Sequence, residues 1–275
     1  MHDNCPATDL YLHFREKFKS RIAEWHQRRE SSCSFSRLTG RVKCPVHYLK
    51  GRIADTIYHK LEKDGGYHED VKRGVVKDLA ILFADIRGFT RRTADMPPER
   101  IVAMLDLFVP EMLNIIVNRH QGMVDKLLGD GIMALYGHPY SKGNEIVQAI
   151  YSAIDMQQAA AALDTVLELG GYDPIEIGIG INRGKVLICE VGDDRYKETT
   201  VIGAPVNIAA KMEDVAGAQE IALPYDTMTL IEPVKPVMLD YFEDRGETND
   251  VRAGVFKWRQ YIENEQQEMD DWRIR

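Results

Sequence analysis

The sequence predicts an α+β fold, in which strand pairs form a sheet that helices cover. Two observations lead to this fold class. Apolar runs of strand length flank short glycine turns, as at 79–84 and on either side of Gly129-Asp130-Gly131. Longer segments repeat apolar residues at helical spacing, as between Pro98 and Gly122. The 275 residues suffice for one large domain and a smaller segment.

Residues 1–76 are predicted to form a helical N-terminal extension. Apolar residues recur at three- and four-residue steps in its first half, which indicates an amphipathic helix over 9–30. A second helix is expected over 46–63, where Asp64-Gly65-Gly66 ends it. Residues 1–77 hold 16 basic and 10 acidic residues, whereas the rest of the chain holds 19 basic and 33 acidic residues. We therefore expect the basic extension to pack on the acidic domain rather than to bind nucleic acid.

The remaining elements follow in order. A strand at 79–84 precedes a helix that begins at Pro98, which suits a first helical turn, and that contains Pro110. A hairpin at 123–136 turns at Gly129-Asp130-Gly131. The later elements are predicted as a helix at 145–163, strands at 175–181 and 186–191 around Asn182-Arg183-Gly184, an extended segment at 196–202, a helix at 205–215, strands at 219–223 and 256–262, and a solvated tail at 263–275.

The composition is that of an ordinary globular protein, with 44% hydrophobic and 28% charged residues. No uninterrupted apolar run approaches the ~20 residues of a membrane helix, so no membrane partner is expected. The N-terminus has no apolar core of a secretory signal. A cytoplasmic location is therefore expected.

Two aspartates are the first candidate site residues. Asp85 ends an apolar strand and Asp130 occupies a tight turn between two apolar runs. Carboxylates held on strand ends and turns suit Mg²⁺, which binds one or two of them and completes its octahedron with water and substrate phosphates. Each aspartate alone could equally be an ordinary turn residue.

Three ordered motifs carry a resemblance to a known family. They are 83–90 (FADIRGFT), 126–130 (KLLGD) and 200–212 (TVIGAPVNIAAKM). In this order they resemble the catalytic domain of the class III nucleotidyl cyclases, the adenylate and guanylate cyclases. The resemblance implies a ferredoxin-like core and a catalytic domain at 77–262.

The resemblance implies roles for the first two motifs. Asp85, Asp130 and the backbone carbonyl of Ile86 would hold two divalent cations, Mg²⁺ or Mn²⁺. Backbone N–H groups of Gly88, Phe89 and Thr90 would bind the triphosphate at a helix start, where anions bind readily.

Two further positions read the base in this family. Lys126 stands where adenylate cyclases have lysine and guanylate cyclases have glutamate, and Thr200 stands where many bacterial adenylate cyclases have threonine. A lysine donor suits the N1 acceptor of adenine, whereas guanine would want an acceptor. Lysine is equally sensible toward O2 or O4 of uracil. The sequence thus favours ATP and leaves pyrimidine nucleotides open.

The third motif would supply the groups around the reacting phosphorus. Asn207 matches the asparagine that orients the ribose, and Lys211, four residues on and on the same helix face, replaces the family's arginine. Lysine keeps the charge but loses the planar bidentate fork of arginine. Arg252 is the candidate for a contact with the terminal phosphates.

The family divides these groups between two subunits, which implies a head-to-tail homodimer with shared active sites. Three functions are therefore weighed for this sequence. The first is an adenylate cyclase. The second is a pyrimidine cyclase that makes cyclic UMP or cyclic CMP, like standalone bacterial antiphage enzymes, and the third is a non-catalytic nucleotide-binding homologue.

Overall fold

A computed structural model describes residues 74–138, 141–192, 197–248 and 250–274. The two helices expected at 9–30 and 46–63 lie outside these residues. The described strands are β1 (Val75–Ile86), β2 (Met123–Leu128), β3 (Gly131–Tyr136), β4 (Ile177–Gly192), β5 (Lys197–Ile202), β6 (Ile221–Pro224), β7 (Phe242–Thr248) and β8 (Val251–Phe256). The described α-helices are α1 (Phe89–Thr93), α2 (Pro98–Leu113), α3 (Glu145–Leu169), α4 (Ala204–Val215) and α5 (Trp258–Ile274).

The eight described strands form one mixed sheet. Its order is β2-β3-β1-β4-β6-β8-β7, and β5 pairs with the far half of β4. β1 and β4 run antiparallel along their whole shared length, from Val75 opposite Ile188 to Ile86 opposite Ile177, while β4 and β6 are parallel. The predicted α+β fold is confirmed.

Strand alternation gives the sheet two different faces. On one face, Ala80, Leu82 and their neighbours pack with α2 and α3 in the larger core. On the other face, Leu79 and Ile81 pack with residues of β3, β4 and α4 in a smaller cluster. Asp85 lies four residues beyond Ile81 on β1, so the alternation places it on the α4 face.

The helix that begins at Pro98 continues past Pro110 and ends in a π-helical turn at Asn114–Arg119. By length and composition alone, Pro98–Arg119 would be long and apolar enough to cross a membrane. Its apolar residues Phe108, Met112 and Ile116 are fully buried in the larger core. Inside the described fold 39% of its most apolar window is buried, and length and composition alone are weak evidence for a membrane span.

The two strands predicted around Asn182-Arg183-Gly184 are one continuous strand, β4. Asn182 is buried in the strand, where its polar side chain has partners: its Nδ2 donates to the Pro205 carbonyl at 3.1 Å and its Oδ1 accepts from Thr227 Oγ1 at 2.9 Å. Gly184 stays in the strand because Pro205 packs against its bare Cα. The prediction of two separate strands here was wrong.

The strand predicted at 256–262 is also wrong. β8 ends at Phe256 and the helix α5 begins at Trp258. The apolar residues serve helix docking: Tyr261 is buried against the rings of Phe256 and Tyr241, and Trp258 Nε1 donates to the Gln219 carbonyl at 3.0 Å. The segment at 263–274, predicted as a tail, continues this helix.

Candidate active site

Two elements bring the predicted metal carboxylates together. Asp85 lies at the end of β1, and Asp130 lies in the turn between β2 and β3, which pairs with β1 along 132–136. The register brings the turn beside Asp85, and a Cβ added to Gly131 would lie 3.3 Å from Asp85 Oδ1. Glycine after Asp130 thus leaves room for the second carboxylate.

The proximity of the two carboxylates changes their protonation. Burial, together with the neighbouring Asp85 carboxylate, raises the pKa of Asp130 to about 7, although the backbone N–H groups of Asp130 and Ile86 oppose the rise. Among the described residues, no hydrogen-bond donor reaches the buried Asp130 Oδ2. The site therefore places two carboxylates close together, and Asp130 Oδ2 has no donor among the described residues.

This arrangement fits a divalent cation. A pair of oxygen-donor carboxylates with an unsatisfied oxygen suits Mg²⁺ or Mn²⁺. Within the described ranges, no cluster of three or more histidine, cysteine, aspartate and glutamate side chains could hold a metal. Backbone, water and substrate phosphates are the further ligands that Mg²⁺ commonly uses beside one or two carboxylates.

The affinity of the site for Mn²⁺ is expected to rise with pH up to about 7 and then to level off. A cation must displace the proton that Asp130 retains below its pKa of about 7, and above that pH no proton competes. The measurement is the increase in Tm caused by Mn²⁺, in the absence of nucleotide, at pH values from 5.5 to 8.5. The Asp130→Asn variant, which has no carboxyl group to titrate, should lose this pH dependence; an unchanged profile would exclude Asp130 as its source.

The predicted phosphate-binding turn follows Asp85 directly. Gly88 has a φ of 68°, the left-handed conformation that glycine adopts without strain. It directly precedes α1, a helix of five residues. Phe89 packs against the larger core, whereas Gly88 and Thr90 are exposed. The backbone around these three residues thus lies at the surface beside the carboxylate pair.

The structure places Lys126 in a charged cluster that the sequence did not indicate. Lys126 Nζ donates to Glu198 Oε1 at 2.5 Å and lies 3.7 Å from Asp125 Oδ2. A β-bulge between Val124 and Lys126 shifts the register of β2 against β3 at this point. Thr200 lies two residues beyond Glu198 on β5, hence on the same face of that strand. The two predicted base-reading residues therefore lie beside a glutamate that spacing alone could not identify.

Helix α4 carries Asn207 and Lys211. Asn207 is exposed and Lys211 is half-buried. The buried Asn182 fixes the start of the helix through the Pro205 carbonyl. The second half of the helix lies directly on β4, because a Cβ added to Gly180 would come within 2.0 Å of the Glu213 backbone nitrogen and 2.4 Å of the Ala209 carbonyl oxygen. The sheet thus holds the position of this helix closely.

An ion pair joins the end of β1, next to Asp85, to α4. Arg87, two residues after Asp85, pairs with Glu213, two residues after Lys211. The guanidinium occupies the space beside Gly178, the partner of Asp85 across β1 and β4, and Nη2 donates to the Gly178 carbonyl at 3.4 Å. Burial lowers the pKa of Arg87, and the nearby Asp85 carboxylate opposes this. Sequence spacing gave no sign of this contact.

Arg252 lies elsewhere on the sheet. It is on β8, which β4 and β6 separate from β1. Its guanidinium pairs with Asp244 and stacks over the Tyr225 ring at 4.4 Å from the centroid. The structure does not bring Arg252 together with Asp85 and Asp130 within one chain, so its phosphate contact stays a prediction.

Comparisons with known proteins agree with this fold. The family model described as the adenylate and guanylate cyclase catalytic domain matches residues 71–262. An adenylate cyclase of Anabaena cylindrica is 36% identical over 148 residues, which are 52% of this chain and 28% of that protein. The terminal-differentiation specific adenylate cyclase of Dictyostelium discoideum is 32% identical over 143 residues, which are 51% of this chain and 6% of that protein. The chain thus matches less than a third of the length of either relative.

Solved structures give the same result. The adenylyl cyclase CyaB from P. aeruginosa superposes with a TM-score of 0.61 at 28% identity, over 66% of this chain and 95% of that chain. The guanylyl cyclase Cya2 superposes with a TM-score of 0.57 at 28% identity, over 66% of this chain and 92% of that chain. These structures confirm the expected cyclase core. With the family model matched from 71 to 262, the chain belongs to the family of adenylate and guanylate cyclase catalytic domains.

Proposed function

We propose that this chain is a nucleotidyl cyclase. In the proposed reaction the 3′-oxygen of a nucleoside triphosphate forms a bond to its own α-phosphorus. The bond from that phosphorus to the bridging oxygen of the β-phosphate breaks, pyrophosphate leaves, and the 3′-hydroxyl proton passes to solvent. The observation that carries the proposal is the Asp85–Asp130 carboxylate pair, in which Asp130 Oδ2 meets no donor from the part of the chain that the structure describes, and which lies beside the exposed glycine turn.

Different residues of the chain would bind the cations, bind the substrate and stabilise the transition state. Asp85, Asp130 and the Ile86 carbonyl would hold two divalent cations, which, when bound, supply activation of the 3′-hydroxyl and neutralisation of phosphate charge. The turn at Gly88 would bind triphosphate oxygens through backbone N–H groups. Asn207, exposed on α4, would orient the ribose. Lys211 would stabilise the charge that grows on the α-phosphate oxygens. Electrostatic stabilisation of this kind is the largest single contribution to the rate enhancement of many enzymes.

The proposed assembly is a head-to-tail homodimer with two shared sites. Four apolar residues on the hairpins that carry Lys126 and Thr200 are half exposed or more: Leu127 (52%), Leu128 (53%), Val191 (50%) and Ile202 (51%). Apolar side chains exposed together on neighbouring elements are typical of a protein contact surface. A second copy of the chain would cover them and would set its α4 against the carboxylate pair of the first.

ATP is the proposed substrate. Lys126 offers a donor to the N1 acceptor of adenine, and the Anabaena and Dictyostelium relatives are named adenylate cyclases. The pyrimidine nucleotides CTP and UTP are the competing substrates.

The direct test is a competition between substrates. The purified protein is incubated with Mn²⁺ and equal amounts of ATP, GTP, CTP and UTP, and the products are identified by mass spectrometry. Cyclic AMP with pyrophosphate is the expected result. Cyclic UMP or cyclic CMP would replace the adenylate assignment by the pyrimidine one, and no cyclic product from any nucleotide would contradict the proposed function.

A further inference from the structure

The guanidinium of Arg87 lies beside the proposed metal carboxylates. The Arg87 backbone N–H donates to the Glu176 carbonyl at 2.8 Å, which continues the pairing of β1 with β4 by one residue. Its side chain then crosses Gly178, the residue directly opposite Asp85, where an added Cβ would lie 2.5 Å from the Arg87 Cζ. Side chains of directly opposite residues share a face, with Cβ atoms about 4.5–5.5 Å apart. The guanidinium therefore occupies the cross-strand position next to Asp85.

A positive charge at this position is close enough to interact with the carboxylate pair. Burial lowers the pKa of Arg87, and the carboxylates of Asp85, Asp214 and Asp130 oppose this, Asp85 most strongly. Arginine and a carboxylate can form two parallel charge-assisted hydrogen bonds. A guanidinium that turned to Asp85 in this way would neutralise the carboxylate and fill the space that a divalent cation needs.

Glu213 holds the guanidinium in its observed place. It pairs with Arg87 from the last turn of α4, and both side chains are largely buried, with 24% of Arg87 and 15% of Glu213 exposed. The close approach of α4 to Gly180 brings the Glu213 backbone onto β4. A glutamate in a last helical turn faces the negative end of the helix dipole, so helix stability does not favour it there. The contact with Arg87 gives this residue a reason to be acidic.

We propose that Glu213 is a positioning residue that keeps the Arg87 guanidinium on β4 and away from Asp85 and Asp130, which leaves the two carboxylates open to a divalent cation. The proposal rests on the metal site of the proposed function. It deepens that function by assigning a role to two residues that bind neither metal nor substrate.

A simpler role for the ion pair would be to fasten α4 to the sheet. The two roles differ in what they predict for the separate partners. If the pair only fastens the helix, removal of either partner breaks the same contact and has the same effect on the site. If Glu213 restrains Arg87, removal of Glu213 releases a competing cation, whereas removal of Arg87 takes that cation away.

The test compares Mn²⁺ binding to the wild-type chain, Glu213→Gln, Arg87→Gln and the double variant. Binding of Mn²⁺ alone is measured by calorimetry at pH 8, above the pKa of about 7 of Asp130. Glu213→Gln should weaken binding by about 10-fold or more, since the cation must then break a charge-assisted arginine–carboxylate pair. Arg87→Gln should bind at least as tightly as wild type.

The double variant is the decisive protein. It should bind Mn²⁺ within about threefold of wild type, because the second substitution removes the cation that the first one released; such a reversal measures the coupling of the two residues. The matched control is Glu243→Gln, which breaks the ion pair with Lys257 on β7 at the far edge of the sheet. It should leave the affinity unchanged.

Two results would overturn the proposal. One is weaker Mn²⁺ binding by Arg87→Gln, which would show that the site needs the intact ion pair; this variant decides even if Glu213→Gln proves too unstable to purify. The other is a double variant that binds no better than Glu213→Gln. A wild-type chain that binds no Mn²⁺ would remove the metal site and this proposal with it. Normal Mn²⁺ binding without any cyclic product would contradict the cyclase function alone, since the comparison requires no turnover.

Discussion

Replacement of Asp85 by asparagine is expected to lower kcat by about a thousandfold or more. The change keeps the shape of the side chain and removes one of two carboxylates that hold the catalytic cations. Such ions supply several kcal/mol of transition-state stabilisation, and each 1.36 kcal/mol corresponds to a factor of about ten in rate. The measurement is steady-state formation of cyclic nucleotide with saturating Mn²⁺ and nucleotide.

Loss of folding should not explain the loss of activity. In the absence of metal, Asp85 contributes to the raised pKa of Asp130, which reflects repulsion between the two carboxylates. The neutral Asp85→Asn side chain relieves that repulsion, so the Tm of the variant without metal should equal or exceed that of the wild type. Asp78→Asn is the matched control, because Asp78 lies on the same strand but pairs with Arg183. It should retain activity within about twofold, as surface changes usually do. Equal activity losses in both variants would count against a special role for Asp85.

The carboxylate pair illustrates what the sequence could predict. Asp85 ends an apolar strand, Asp130 lies in a hairpin turn, and each feature depends on neighbouring residues only. The hairpin β2–β3 pairs with β1 as the register requires, and the two side chains meet. Local patterns of strand and turn therefore predicted the elements, whereas the choice of these two aspartates as site residues came from the resemblance to the cyclase family.

Asn182 and Glu198 illustrate what the sequence could not predict. Asparagine and glycine close together in sequence are typical of a turn, yet Asn182 finds hydrogen-bond partners 23 and 45 residues away and remains in a strand. Glu198 meets Lys126 only because a bulge and two separate hairpins converge. In both cases tertiary contacts override a local preference, and spacing within one segment carries no information about them.

Lys211 is expected to affect turnover much more than substrate binding. Lys211→Ala should lower kcat by about 100- to 1,000-fold, the usual cost of removing one group that stabilises transition-state charge. The expected change in KM is less than about threefold, since an interaction made only in the transition state alters kcat and kcat/KM alike. Lys211→Arg should retain or exceed wild-type turnover, because arginine adds a bidentate fork at the same helix face. A parallel rise in KM would instead assign Lys211 to ground-state binding.

Mixing the two inactive variants tests how the site is assembled. If each site takes Asp85 from one chain and Lys211 from its partner, a heterodimer of Asp85→Asn with Lys211→Ala has one site with both defects and one with neither. Co-expression of equal amounts forms heterodimers as half of all dimers, so about a quarter of wild-type activity should return. Each variant alone, and each mixed with itself, provides the baseline. A site built within a single chain would gain nothing from mixing, since every chain would carry one defect. Recovery of activity would therefore place Lys211, with the helix α4 that carries it, across the dimer interface from Asp85.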